Sequence, residues 1–293
     1  MLTRTFVHLK GINPTIEKSI WKQGVSSWND LLTRKTALNV PRLSLNQMKK
    51  EIQESIEALK EEDALFFDSK LPNSEKWRCY KQFRDSCVYF DIETTGLNFE
   101  KDSLTTIVAY DGKTIRSFVA GKNLDEFKDY FMQFNMCVTF YGNEFDIPFL
   151  SRKMDIFPAM VQMDLFYELR DLGYKGGLKA IEPEFGIERG ELDEITGKHA
   201  IVLWDMYKES KNEAILNTLL AYCFADVLSL RSLADLVYNK KCEKAGFPDE
   251  KIKPDLSIPP NPFQIDSQIV KILKFRPLTE QEDEDEENKE EQD

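Results

Sequence analysis

The chain has 293 residues, of which 42% are hydrophobic and 31% charged, and a formal net charge of −12; that is enough for one sizeable globular domain and an accessory one. It contains no run of 18 apolar residues and no apolar core of a secretory signal at the N-terminus, so a soluble, cytoplasmic protein with no membrane partner is expected. Five cysteines (Cys79, Cys87, Cys137, Cys223 and Cys242) are odd in number and show no C-x-x-C spacing, which argues against a disulfide framework and a thiolate zinc site. The charge divides into three objects: residues 1–50 carry +7, residues 279–293 carry −9, and the stretch between carries −10.

In chain order, residues 1–62 predict a small helical domain. Ile16 and Ile20 lie one turn apart in a helix closed by Gly24, SSWNDLL opens a second helix, and a longer one runs from Ser44 to about Glu62. Trp21 and Trp28 are expected in its core. KLPNSEKW marks 63–84 as a linker. CVYFDIE, LTTIVAY (104–110) and TIRSFVA (114–120) read as three strands, the last two joined at DGK. NLDEFKDYFMQF (123–134) spaces Leu124, Phe127, Phe131 and Phe134 for one helix face. MCVTFYG (136–142) reads as a fourth strand, and helical patterns dominate from about Ile147 to Tyr238. The order predicts an α/β domain over 85–240, a sheet flanked by helices. Residues 241–278 read as an extended, Pro-rich segment and 279–293 as a disordered acidic tail.

The chemistry concentrates in acidic residues. In VYFDIETTGL (88–97), Asp91 and Glu93 are two apart on a strand and project to one side, where like charges repel. Asp146 in YGNEFDIPFL follows the fourth strand, and in LLAYCFADVLSL Tyr222 and Asp226 share a helix face. Four hard-oxygen groups suit Mg²⁺ or Mn²⁺. Two such ions about 4 Å apart stabilise both the attacking and the leaving oxygen of a phosphoryl displacement, with Tyr222 orienting the water. Asp164 is expected to cap its helix. Each motif alone has an ordinary structural reading: a strand end, a capped helix start packing Phe145 and Phe149 into the core, a surface Tyr–Asp pair. In this order and context, the three together are more specific.

These motifs resemble those of the DnaQ-like 3′–5′ exonucleases of the ribonuclease H-like fold, in their tyrosine (DEDDy) branch. DIETTGL resembles the first motif, FDIPFL the second and YCFAD the third. MDLFYELR (163–170) and LKAIEPEFGIER (178–189), lying between the second and third, resemble YprB-type ribonuclease H-like proteins. The resemblance implies a ribonuclease H-like mixed sheet flanked by helices and preceded by a small helical domain. It implies Asp91, Glu93, Asp146 and Asp226 as ligands of two Mg²⁺ or Mn²⁺ ions, and Tyr222 as the residue that orients water. It also implies Leu97 beside the terminal base; Phe145 is placed with it as a substrate contact. One departure is that Tyr141 stands before Gly142 where the family usually has Asn.

LKGINP resembles the hairpin of a helix–hairpin–helix motif, with Asn13 in place of the second glycine as a residue that tolerates positive φ. Lys10, Lys18 and Lys22 would then add phosphate contacts; the alternative is a docked helical hairpin whose charge is only solvated. The acidic tail serves solubility, competes with the head, or binds a protein partner. DGKT is not a P-loop, because Ile107 sits where the earlier glycine belongs, and two histidines, His8 and His199, exclude His-rich zinc sites. The expectation is a metal-dependent 3′–5′ exonuclease acting on DNA or RNA, single-stranded or at frayed ends. The alternatives are a non-catalytic nucleic-acid-binding or scaffold protein and a structure-specific endonuclease.

Overall fold

The computed structural model describes residues 1–40, 44–189, 192–193, 195–256 and 259–275. Five strands, β1 (Cys87–Thr94), β2 (Leu104–Tyr110), β3 (Ile115–Val119), β4 (Met136–Thr139) and β5 (Val161–Asp164), form one sheet in the order β3-β2-β1-β4-β5. The β1–β2–β3 meander is antiparallel, whereas β4 and β5 run parallel to β1, so the sheet is mixed as expected. β5 was not expected. Its four residues are too few to display a period, and it exists through its register with β4, from Met136↔Val161 to Thr139↔Asp164.

The helices are α1 (Pro14–Lys22), α2 (Trp28–Thr33), α3 (Leu45–Lys60), α4 (Ala64–Lys70), α5 (Tyr80–Phe83), α6 (Phe127–Phe131), α7 (Asp146–Met154), α8 (Leu165–Asp171), α9 (Leu178–Ile181), α10 (Gly197–Ser210), α11 (Glu213–Ala245) and α12 (Ser267–Phe275). Side-chain oxygens of Asn13, Ser27 and Ser44 cap α1, α2 and α3, so those helices start where local chemistry satisfies their first N–H groups. Asn13 is extended at φ −109°, and the positive φ of this hairpin falls on Gly11 at 80°. Asn13 is therefore a helix cap rather than a substitute glycine. Helix α6 is shorter than the predicted 123–134, its first turn being 3₁₀.

Strand alternation gives the sheet two different faces. Val88, Phe90 and Ile92 point into an apolar cluster with Phe118, Phe127 and Phe149, under α6 and α7. Cys87 and Tyr89 point the other way, into the cluster that contains most of α11. The 33 residues of α11 pack across β1 and β2. By length and composition α11 is apolar enough to cross a membrane, but its apolar window is 67% buried by the rest of the chain, which makes it the central helix of a core.

Residues 63–84 are folded rather than a linker. Phe67, Trp77, Tyr80 and Phe83 are buried in the cluster that also holds Phe6, Ile20 and Trp28 of the head. Asp235 on α11, wholly buried, accepts hydrogen bonds from Tyr80 Oη (2.8 Å) and from Arg84 Nε (2.7 Å). The described residues of 241–278 are only partly extended: α11 continues to Ala245, and α12 buries Ile269, Val270 and Leu273. The segment between them is held by reciprocal bonds between Asn239 and Ile252 (2.9 and 2.8 Å). The acidic tail 279–293 lies outside the described residues.

A buried ion pair joins head to body. Glu17 on α1 accepts from the Phe6 and Val7 N–H groups (2.6 and 3.2 Å) and pairs with Arg78 at 2.9 Å, both side chains 5% exposed or less. Removing Glu17 leaves the Phe6 and Val7 N–H groups without their acceptor and Arg78 with Glu75 (2.7 Å) as its remaining acid. Glu17→Ala is therefore expected to lower the unfolding free energy by about 3–5 kcal/mol in urea titration. Lys60→Ala, from an exposed pair with Glu57, should change it by less than ~0.5 kcal/mol. Equal effects from the two would remove the pair as the attachment.

Candidate metal centre

Asp91 and Glu93 continue the Cys87–Tyr89 face of β1, the face covered by α11, so the fold places both carboxylates toward that helix. A register shift between Glu93 and Thr94 interrupts the ladder with β2, a common device beside functional sites. From α11, the Cys223 sulfur lies 3.6 Å from both the Asp91 carbonyl oxygen and its Oδ2. Ligand-capable atoms of Asp91, Glu93 and Cys223 all fall within 4.8 Å of one another. Tyr222 and Asp226 flank this cysteine, both more than nine-tenths buried.

The second motif approaches from β4, near enough for Asp146 to raise the Asp91 carboxyl. Asp146 is the first residue of α7, buried, and its Oδ1 has no hydrogen-bond partner. Asp164, at the end of β5, holds the loop before it by accepting from the N–H groups of Tyr141 (2.7 Å) and Asn143 (3.0 Å), and it also caps α8 through Phe166 (3.1 Å). Tyr141 takes a left-handed conformation at φ 63°. The asparagine implied by the resemblance adopts this conformation more readily than a bulky residue does. A Cβ on Gly142 would meet the Thr139 hydroxyl oxygen at 2.3 Å, so only glycine fits beneath this loop.

The electrostatics follow from crowding. Burial raises the Asp91 carboxyl well above the carboxylate range, and Asp226, Asp146 and Glu93 raise it further. Burial pushes Asp146 up to about 8, with Asp164 adding to the effect, and pushes Asp164 up to about 6. Tyr222 is raised by burial and then by Asp226, Glu93 and Asp91, so its phenol keeps its proton. The Cys223 thiol is raised by burial and by the same carboxylates, which makes it a neutral donor to Asp91 rather than a thiolate ligand. A buried orphan oxygen on Asp146 amid repelling carboxylates suits a divalent cation, and hard oxygen donors suit Mg²⁺ or Mn²⁺.

Leu97 is 39% exposed in the turn after β1. Phe145 is half-buried, its ring 5.0 Å from that of Phe149 on the opposite apolar cluster. Lys10, Lys18 and Lys22 are exposed on the head. Trp28 is buried, its indole N–H bonded to the Thr5 carbonyl at 2.7 Å, and Trp21 is half-buried, in keeping with a packing role.

Four residues that the sequence did not mark join the site. Cys223 could have been found from its place between Tyr222 and Asp226. Lys179, Glu182 and Arg189 come from the segment between the second and third motifs. The Arg189 guanidinium pairs with Asp226 and forks onto Glu182 at 2.5 and 2.7 Å. The Lys179 ammonium sits 5.0 Å from the centre of the Tyr222 ring. Nothing in local periodicity marks these contacts.

A mixed sheet of this order, with carboxylates at the end of its first strand and on the helix that crosses it, defines a ribonuclease H-like α/β protein. The chain belongs to the RNase H superfamily: residues 88–238, just over half of it, match the RNase_H_2 family model. Similar solved structures include the family B DNA polymerase from the hyperthermophilic archaeon Pyrobaculum calidifontis, at 19% identity and a TM-score of 0.40, over 54% of this chain and 24% of the polymerase chain. Brucella melitensis NrnC bound to pGG is 21% identical with a TM-score of 0.40, over 67% of this chain and 83% of that one. NrnC with bound Mg²⁺ is 19% identical with a TM-score of 0.37. At these values the alignments assign no role to any residue of this chain. No curated protein matches it.

The raised Asp146 pKa has a stability consequence. Folded Asp146 keeps its proton to about pH 8, whereas an unfolded aspartate loses it near ~4. The folded state therefore binds more protons in that window, and stability falls as pH rises through it. Melting in EDTA should show the wild type losing stability from pH ~4 to ~8. Asp146→Asn should lose less and melt several degrees higher at the upper end. Parallel curves for the two proteins would contradict the buried, strained carboxyl.

Proposed function

We propose that the protein is a metal-dependent 3′–5′ exonuclease acting on single-stranded or frayed nucleic acid. The observation that supports this reading is the Asp91–Glu93 pair on β1, facing Cys223 of α11 within 4.8 Å and close enough to Asp146 and Asp226 for both to raise the Asp91 carboxyl. In this reading the four carboxylates hold Mg²⁺ or Mn²⁺, and Leu97, Phe145 and the head lysines contact substrate. Bound there, the metal supplies charge stabilisation for a phosphoryl displacement and acidifies the attacking water.

The chain's own groups divide the remaining work. Tyr222 keeps its proton because of its acidic neighbours, so it orients the water by hydrogen bonding and does not deprotonate it. Asp164 fixes the Tyr141–Asn143 loop and through it the start of α7, and so sets the position of Asp146. The oxygen of water forms a bond to phosphorus as the bond to the 3′ oxygen breaks, and the proton lost by the water is balanced by one gained from solvent at that 3′ oxygen, giving a nucleoside monophosphate and a 3′ hydroxyl.

The direct test is digestion of 5′-labelled DNA and RNA oligonucleotides with Mg²⁺, with Mn²⁺ and with EDTA. A metal-dependent ladder is expected; internal cuts would make the protein an endonuclease, and no cleavage would favour a binding or scaffold role. Tyr222→Phe keeps the ring and removes the hydroxyl, and should slow turnover by roughly 10²-fold with little change in KM. Full activity in that variant would assign Tyr222 to packing alone.

The head shares its core with the sheet, so its role is tested by substitution rather than truncation. Replacing Lys10, Lys18 and Lys22 together by Gln should weaken substrate binding and flatten its log–log salt dependence by up to ~2, at about 0.7 per lost contact to a single strand. An unchanged slope would leave the head as a structural element only.

A further inference from the structure

The carboxylate cluster is electrostatically lopsided. At one end, Asp146 Oδ1 is buried with no partner. At the other, Asp226 already has a cation: the Arg189 guanidinium pairs with Asp226 Oδ1, and its own side chain is only 3% exposed. Glu182, 2% exposed, occupies Nε and Nη2 of that guanidinium and so leaves Nη1 for Asp226. The Glu182–Arg189–Asp226 triad is therefore a constructed contact and not a surface encounter.

We propose that Arg189, fixed by Glu182, is a resident counter-ion of Asp226 that competes with a divalent cation for the Asp226 side of the cluster. This rests on the metal-centre reading above. A guanidinium stays protonated at any accessible pH, so its charge can be displaced but not neutralised. A cation on Asp226 has other carboxylate lone pairs to use, but it must stand beside a fixed positive charge in a poorly hydrated site. Lys179 comes from the same 178–189 segment to the same side, over Tyr222, and Asp226 acts on its ammonium. The consequence is unequal affinity: one cation binds tightly among Asp91, Glu93 and Asp146, and a second at Asp226 binds weakly until Arg189 is moved aside. An incoming phosphate is a group with the charge to draw Arg189 away.

The test is Mn²⁺ binding to substrate-free protein, read by the paramagnetic resonance signal of free Mn²⁺ and by calorimetry. The wild type should bind one Mn²⁺ tightly and a second weakly or not at all. Arg189→Gln should tighten the second binding at least tenfold while leaving the first within about threefold. The pair Arg189→Gln with Glu182→Gln, which leaves no unpaired buried charge at 182, should show the same gain if the single variant folds poorly. Adding Asp226→Asn to either should abolish the gain. Unchanged Mn²⁺ isotherms in folded Arg189→Gln, with one tight site retained, would overturn the counter-ion role and leave the metal centre standing. Weakened binding would overturn it too, by making Arg189 a support that positions Asp226. No Mn²⁺ binding by any variant would overturn both the proposal and the metal centre beneath it.

Discussion

The mutual repulsion of carboxylates held out of water is the constraint around which this protein is arranged. Strand alternation commits Asp91 and Glu93 to the face that α11 must cover, since the opposite face is already filled by Phe90, Phe118, Phe127 and Phe149. Covering that face with a long apolar helix then brings Asp226 and Tyr222 down onto the pair. The apolar packing that stabilises the fold is thus what crowds the acids. Sites of this kind give up stability for function, and the deficit is made good elsewhere in the core.

Several features read as responses to that crowding. Cys223 gives Asp91 a neutral thiol donor. Asp164 ties the loop before α7 through two backbone N–H groups, which lets Tyr141 persist in a left-handed conformation that is costly for its type. Arg189 and Glu182 bring a positive charge to one end of the cluster. Each limits the freedom of a carboxylate that would otherwise turn away from its neighbours.

The basic head is joined to this body through its interior. Glu17 and Arg78 pair beneath the surface, and Phe6, Ile20 and Trp28 share a core with Trp77 and Tyr80. Its exposed lysines are therefore carried by a segment that shares the core of the sheet domain.

By itself, the sequence determined what depends on neighbours along the chain. The period of two in CVYFDIE put Asp91 and Glu93 on one side, Asn13, Ser27 and Ser44 marked helix starts, and the four-residue step placed Tyr222 and Asp226 on one helix face. The motif order singled out the four acids as one candidate set. What it left open depends on contacts between distant segments. β5 is a strand only because β4 lies beside it, residues 63–84 fold because their aromatics meet the head, and Asn13 needs no positive φ because Gly11 supplies it. Arg189 stands 37 residues before Asp226, and no local pattern says that the loop between motifs will turn its guanidinium onto a candidate ligand. A side chain's period and propensity are properties of a few neighbouring residues, whereas the partner of a buried charge is chosen by whichever segments the closed core forces into contact, and only the tertiary structure makes that choice.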